Sequence, residues 1–191
     1  MSYWETIGKT NEYYTPKYIF DALDCSFDMD VAAPKDRTHV CVPAKKFITE
    51  NSLELSWGGY VWMNPPFGGR NGLVPWLEKI YHHGNGIALT PDRTSAGWWQ
   101  NAAKQADVIL FVNGKIKFIK PNGKPGKQPS NGTTLFGYGP LACTHLRRAE
   151  QNGLGVLMGK NINVNHHVLQ DCRRNGSASD QGSRILLAVD K

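Results

Sequence analysis

Asn64-Pro65-Pro66-Phe67, at the end of the apolar run Tyr60-Val61-Trp62-Met63, is the tetrapeptide of this chain best suited to chemistry. The Asn64 side-chain amide oxygen and the Pro65 main-chain carbonyl are both hydrogen-bond acceptors. Together they can take the two N–H bonds of a planar amine, such as the exocyclic amine of adenine, whose lone pair is delocalised into the ring. Accepting both bonds favours a more tetrahedral nitrogen and aims its lone pair at a methyl donor. The two prolines hold these acceptors rigid, so the catalysis is largely positioning and electrostatics. Phe67 adds a face on which a base can stack. A base inside a duplex cannot reach such a site and has to be flipped out. The run Gly68-Gly69-Arg70-Asn71-Gly72 that follows allows a loop to close over it. The plain alternative is a strand-to-loop turn stiffened by prolines.

The elements that would position this site alternate between helix and strand. Thr15-Pro16 ahead of Lys17 to Leu23 reads as a capped helix start, with Thr15 as the cap and proline in the first turn. Phe27 to Ala33 reads as a strand and Lys46 to Thr49 as a short one. Tyr60 to Met63 is a buried strand, stopped by the prolines. Val74 to His82 has helical spacing, with Val74, Leu77 and Tyr81 on one face. Gly86 to Thr90 is a third buried strand, and a helix follows over Ser95 to Ala106. Asp107 to Val112 is a strand, turning at Asn113-Gly114 into Lys115-Ile116-Lys117-Phe118 as a hairpin. Lys120 to Gly132 has no apolar residue apart from its prolines and is expected to be mobile. Thr133 to Tyr138 is the last strand. Buried strands separated by helices predict an α/β protein, a three-layer, mostly parallel sheet with a final antiparallel element. The expected division is one domain over 1–158 and a polar, loosely ordered tail over 159–191, where Arg173 to Ser183 is rich in turn formers.

The 191 residues suit one well-buried domain. With 20% charged and 40% apolar residues the balance is globular rather than disordered. No run is long enough to span a membrane, and the N-terminus shows no basic stretch followed by an apolar core, so no secretory signal is expected. Cys25, Cys41, Cys143 and Cys172 form no CxxC pair and read as free thiols of a reducing cytosol. Nothing asks for a metal. The net charge is +6, and no acidic residue lies between Asp107 and Glu150, a stretch holding Lys115, Lys117, Lys120, Lys124, Lys127, Arg147 and Arg148. A one-signed face of this kind means either solubility or an anionic partner such as a phosphate backbone.

Several of these segments, in order, resemble the phage-type DNA N6-adenine methyltransferases (the Dam-like phage family). They are Tyr14-Thr15-Pro16, Phe27-Asp28-Met29-Asp30-Val31-Ala32-Ala33, Ser52-Leu53 with Trp57, and Val61 to Phe67. Leu89-Thr90-Pro91-Asp92-Arg93-Thr94, Trp98-Trp99 and Lys115 to Phe118 continue the likeness, which covers roughly residues 10 to 140. The resemblance implies a Rossmann-like methyltransferase fold, S-adenosylmethionine as methyl donor and adenine in double-stranded DNA as acceptor. It also implies a phage or prophage role, such as marking DNA against host restriction in the bacterial cytoplasm. Thr15 and Pro16 match the family element that lies against the methionine end of the cofactor. Asp30 matches the acidic residue ending the first strand, suited to the cofactor's ammonium or ribose hydroxyls. Ala32 and Ala33 would let the backbone approach the ligand, and Asn64, Pro65, Pro66 and Phe67 match the catalytic motif. The chain departs from many methyltransferases in having Val31-Ala32-Ala33-Pro34 in place of a glycine-rich turn. Glu50-Asn51 stands where an acidic adenine-binding residue is often found.

Among the remaining candidates, Lys124 and Lys127 are assigned to DNA phosphates from the loop, with Lys115 and Lys117 on the same basic stretch. The alternative for these lysines is a solvated surface. Gly123-Lys124-Pro125-Gly126-Lys127 lacks the first glycine and the final Ser/Thr of a phosphate loop. One ring of Trp98-Trp99 belongs in the core and the other, Trp98, against the base. Arg93, at the end of a sheet strand, is a candidate DNA contact. His82-His83 and His166-His167 are adjacent in sequence and read as ordinary histidines rather than ligands. Two other readings stay open. The same fold could act on RNA or on a protein amide, or the chain could be a non-catalytic nucleic-acid-binding module. Oligomeric state and recognition sequence are not legible.

Overall fold

The computed structural model describes residues 13–68 and 72–159. Apolar, β-branched and aromatic runs become strands, and the amphipathic stretches between them become helices. In chain order these are α1 (Lys17–Leu23), β1 (Phe27–Asp30), β2 (Ala44–Phe47), β3 (Val61–Met63), α2 (Val74–His83) and β4 (Gly86–Pro91). There follow α3 (Gly97–Gln105), β5 (Val108–Val112), β6 (Thr133–Tyr138), α4 (Gly139–Gln151) and β7 (Gly155–Gly159).

The strands form one seven-stranded sheet in the order β2-β1-β3-β4-β6-β5-β7. β2, β1, β3 and β4 are mutually parallel. β6 enters antiparallel between β4 and β5, and β7 pairs antiparallel with β5 at the edge. Two reversals across β6 return β5 to the direction of β4, so five strands run one way and β6 and β7 the other. The register pairs Asp30 with Trp62 and Met63 with Ala88, which brings the carboxyl ends of β1, β3 and β4 out side by side.

Alternate residues on the central strands bury into helices on opposite faces. Val61 and Met63 join Leu77, Ile80, Trp99 and Ala102 in the core beneath α2 and α3. Trp62, between them, points the other way and packs on Phe20 of α1 with ring centroids 4.9 Å apart. β6 alternates likewise: Phe136 and Tyr138 belong to the α2/α3 core, while Gly137 lies under Leu146 and Ala142 of α4. Burying side chains of this size contributes about 1.5–3 kcal/mol each, which is the main support for the sheet. Gly86 marks a close approach, since a Cβ there would lie 2.6 Å from the Val61 carbonyl oxygen. Gly86→Ala should therefore cost about 1–3 kcal/mol, read as a lower denaturant midpoint with an unchanged slope.

Some expectations need correction. Thr15 does not cap α1: the N-cap position is Pro16, whose side chain has no acceptor, and the Thr15 hydroxyl accepts from the Asn64 amide instead. The buried stripe of α2 is Leu77 and Ile80 beside Leu73, whereas Tyr81 is 42% exposed. Residues 115–118 are not a hairpin arm. β5 already has β6 and β7 on its two sides, and the chain after Gly114 (φ 69°) runs out over the surface, anchored by the fully buried Ile116. Within the 120–132 loop, backbone hydrogen bonds run from Lys120 to Lys124 (2.9 Å) and from Gly126 to Phe118 (2.7 Å). α4 and β7 were not anticipated. Gly69, Arg70 and Asn71 of the glycine-rich run, His166-His167, Cys172 and the tail after Gly159 lie outside the described residues. Among the described residues no helix is long and apolar enough to cross a membrane.

Candidate active site between two pockets

Open α/β sheets place ligands at the carboxyl ends of their strands, and here the chain leaves β3 directly into Asn64-Pro65-Pro66-Phe67. Neither proline can donate to a ladder, so pairing stops and the segment stands off the sheet. Asn64 is fixed by its amide nitrogen, which donates to the Thr15 hydroxyl at 3.2 Å. Thr15 is itself 3% exposed. Reciprocal backbone hydrogen bonds between Tyr14 and Ile119, 2.8 and 2.9 Å, hold the Thr15 segment in place. With its N–H side tied to Thr15, the Asn64 amide keeps its carbonyl oxygen as the acceptor. Pro65 is buried, and Phe67 is 48% exposed.

On one side of this segment lies a pocket lined by Tyr14, Thr15, Asp30, Ala32, Trp62 and Asn64, among others. Asp30 is 3% exposed and accepts a hydrogen bond from the Ala32 N–H at 3.2 Å. Burial pushes its carboxyl up to about 7, with the Ala32 bond opposing only in part. Among the described residues no cation pairs with it. A buried carboxylate of this kind is costly by itself and is suited to a cationic ligand. The end of β1 is held from behind. The Ser52 hydroxyl donates to the Val31 carbonyl, and the Ser52 carbonyl accepts from the Trp57 indole (3.0 Å) and from Lys79 (2.9 Å).

On the other side is a wider cleft lined by Phe67, Leu73, Thr90, Arg93, Trp98 and Phe118, closed by residues 129–133. Trp99 is the core ring of its pair, its indole donating to the Thr134 hydroxyl at 3.2 Å, while the half-buried Trp98 faces the cleft. Asp92 ties the cleft to its far wall through a backbone bond to the Gly132 carbonyl, 2.9 Å. Lys115 reaches the Ser130 carbonyl at 2.8 Å.

The structure thus brings Thr15, Asp30, Ala32 and Asn64 together in one pocket, and Phe67, Arg93 and Trp98 in the other. Pro16 is buried at the head of α1, and the Ala33 N–H is committed to the Ile48 carbonyl at 3.0 Å. Glu50 and Asn51 are exposed and line neither pocket; Glu50 is paired with Lys35, which holds its carboxyl below the ordinary range. Lys117, Lys124 and Lys127 are exposed on the surface segment beyond the cleft lining. Thr90, Trp62 and Phe118 line the pockets although the sequence assigned them no role. Thr90 carried the one usable signal, as the polar residue in the otherwise apolar run Gly86 to Pro91. Among the described residues no group of three or more His, Cys, Asp or Glu is placed to hold a metal.

A family model for DNA N-6-adenine-methyltransferase (Dam) matches residues 7–138. The DNA N-6-adenine-methyltransferase of Haemophilus phage HP1 (strain HP1c1) is similar, at 27% identity over 165 residues, which covers 75% of this chain and 90% of that protein. No solved structure matches. The matched span contains the described lining of both pockets as well as the Asn64 segment between them, and the chain belongs to the DNA N-6-adenine-methyltransferase (Dam) family.

Proposed function

We propose that this adenine-specific DNA methyltransferase uses S-adenosylmethionine to methylate the N6 amine of an adenine flipped out of double-stranded DNA. The observation that carries the reading is that Asn64 lines the acidic pocket while Phe67, three residues on, lines the aromatic cleft. The acidic pocket fits the cofactor's charge: Asp30 is buried with no cationic partner among the described residues, and the cofactor carries a sulfonium and an ammonium. Asp30, Thr15 and the Ala32 backbone would hold it, with Trp62 as an apolar wall. When bound, S-adenosylmethionine supplies an electrophilic methyl group on sulfur.

This chain's own residues prepare the acceptor. The Asn64 and Pro65 carbonyls take the two N–H bonds of the amine, and Thr15 keeps the Asn64 amide from rotating. Phe67 stacks on the base, and Trp98 and Phe118 exclude water from it. The lysine-bearing segment from 115 to 127, free of acidic residues, supplies attraction to the phosphate backbone. The first half of the sheet, parallel over β2-β1-β3-β4, and the reversed β6 support a Rossmann-like reading of the fold.

The test is incubation of the purified chain with labelled S-adenosylmethionine and unmethylated DNA or RNA, followed by digestion to nucleosides. Label in N6-methyldeoxyadenosine from the DNA is the expected result. Label only in RNA would move the acceptor. Cofactor binding without transfer to either nucleic acid would move the acceptor to a protein amide, and no cofactor binding at all would overturn the enzymatic reading in favour of a nucleic-acid-binding module.

A further inference from the structure

The cleft holds a polar group that the chemistry above leaves unused. Thr90 is fully buried and lines the cleft, yet among the described residues its Oγ1 has no hydrogen-bond partner. Buried hydroxyls are seldom left this way, because removal from water is uncompensated. Its cross-strand neighbour Thr134 is already engaged by the Trp99 indole. The position is also specific. Met63 pairs with Ala88, so Thr90, two residues further along β4, stands beside the Asn64–Pro65 step where the chain leaves β3. Around it the cleft is lined by the rings of Phe67, Trp98 and Phe118 and, among polar side chains, by Arg93, Ser130 and Asn131.

The geometry points to Thr90 as a base-reading residue whose hydroxyl donates to a ring nitrogen of the flipped adenine. This rests on the proposed function, since adenine must enter the cleft with its amine at Asn64 and Pro65. A base held by N6 presents N1 and N7 on the two sides of that amine, and both are acceptors. The Thr90 hydroxyl, beside the residues that hold the amine, meets one of them. Bound substrate then supplies the partner that the hydroxyl lacks in the free protein.

The experiment compares wild type, Thr90→Val and Thr90→Ser on a short duplex carrying the site found by sequencing wild-type product. The target adenine is ordinary, 1-deazaadenine or 7-deazaadenine. Valine keeps the shape and removes the hydroxyl, so the variant should fold with an equal or higher Tm and unchanged S-adenosylmethionine affinity. Its kcat/KM on ordinary adenine should fall about tenfold, and serine should restore most of it. One deaza substrate should lower wild type to the valine variant's level while leaving that variant unaffected. A merely structural role would not produce such coupling. Wild-type kcat/KM in Thr90→Val, or a valine penalty that persists undiminished on both deaza substrates, overturns the assignment. Failure of the proposed function looks different: wild type itself places no methyl group on DNA.

Discussion

Asn64→Ala should abolish detectable turnover, lowering methyl transfer by about 10²–10⁴-fold while changing cofactor affinity little. The reason is geometric. In the proposed mechanism one of the two acceptors for the amine is a main-chain carbonyl that no substitution removes, and the other is the Asn64 side chain. Without it one N–H of the amine is unsatisfied and the nitrogen stays planar, with its lone pair in the ring. Thr15, which receives the Asn64 N–H at 3.2 Å, would remain in place, so the pocket's shape survives. Asn64→Asp separates the two contributions. It keeps an acceptor oxygen, and the Thr15 hydroxyl can turn to donate to the other. Aspartate should therefore retain far more activity than alanine. Single-turnover rates at saturating cofactor measure this directly, and equal rates for alanine and wild type would remove Asn64 from the mechanism.

Asp30→Asn should separate stability from function. Burial raises the folded-state carboxyl from its ordinary 3.8 to about 7. Between those values the folded chain holds a proton that the unfolded chain has lost. The stability of the ligand-free protein therefore falls as pH rises from about 4 to about 7, then levels off. At 1.36 kcal/mol per unit the full loss is roughly 4 kcal/mol. Asparagine does not titrate, so the variant should gain on wild type across that window and be the more stable protein at pH 8. The cofactor runs the other way. A cationic ligand needs the ionised carboxylate, so wild-type affinity should rise with pH through about 7 and then saturate. The asparagine variant should bind weakly, with no such rise. Thermal melts and calorimetry from pH 5 to 8 check both halves. Parallel affinity curves for the two proteins would show that Asp30 does not meet the cofactor.

The sequence was informative where local chemistry and burial agree. β3 is wholly buried and β4 is buried up to its closing Pro91, so their extent and the strand-end segments could be read from residue types alone. The Trp98-Trp99 pair divided as helical spacing requires, one ring in the core and one in the cleft. Where the structure departs, a long-range partner decided the outcome. Thr15 reads as a cap because caps are local, but its hydroxyl is claimed by Asn64, far along the chain. Lys115 to Phe118 has strand-forming residues after a tight turn. Both edges of β5 were nonetheless taken by β6 and β7, and pairing partners are not written into the strand itself. α4 begins at Gly139-Pro140 immediately after β6, and proline in its first turn suits a helix start. Its buried Ala142, Cys143, Leu146 and Ala149 also follow helical spacing, so the helix is written in the local sequence. Glu50 shows the converse. Position along the chain suggested a ligand contact, whereas the side chain found Lys35.

The Tyr14–Ile119 clasp makes the two walls of the site one piece. Thr15, on one side of it, faces the acidic pocket, and Phe118, on the other, faces the aromatic cleft. Residues that are remote in the chain thus share a single backbone joint, and displacing either wall strains the other. Substitutions at Thr15 and Phe118 should accordingly be epistatic, with a double variant that differs from the sum of its parts by more than about 0.5 kcal/mol in transition-state stabilisation. Strict additivity would mean that the joint yields. If it holds, the acidic pocket and the aromatic cleft of this enzyme cannot be remodelled independently.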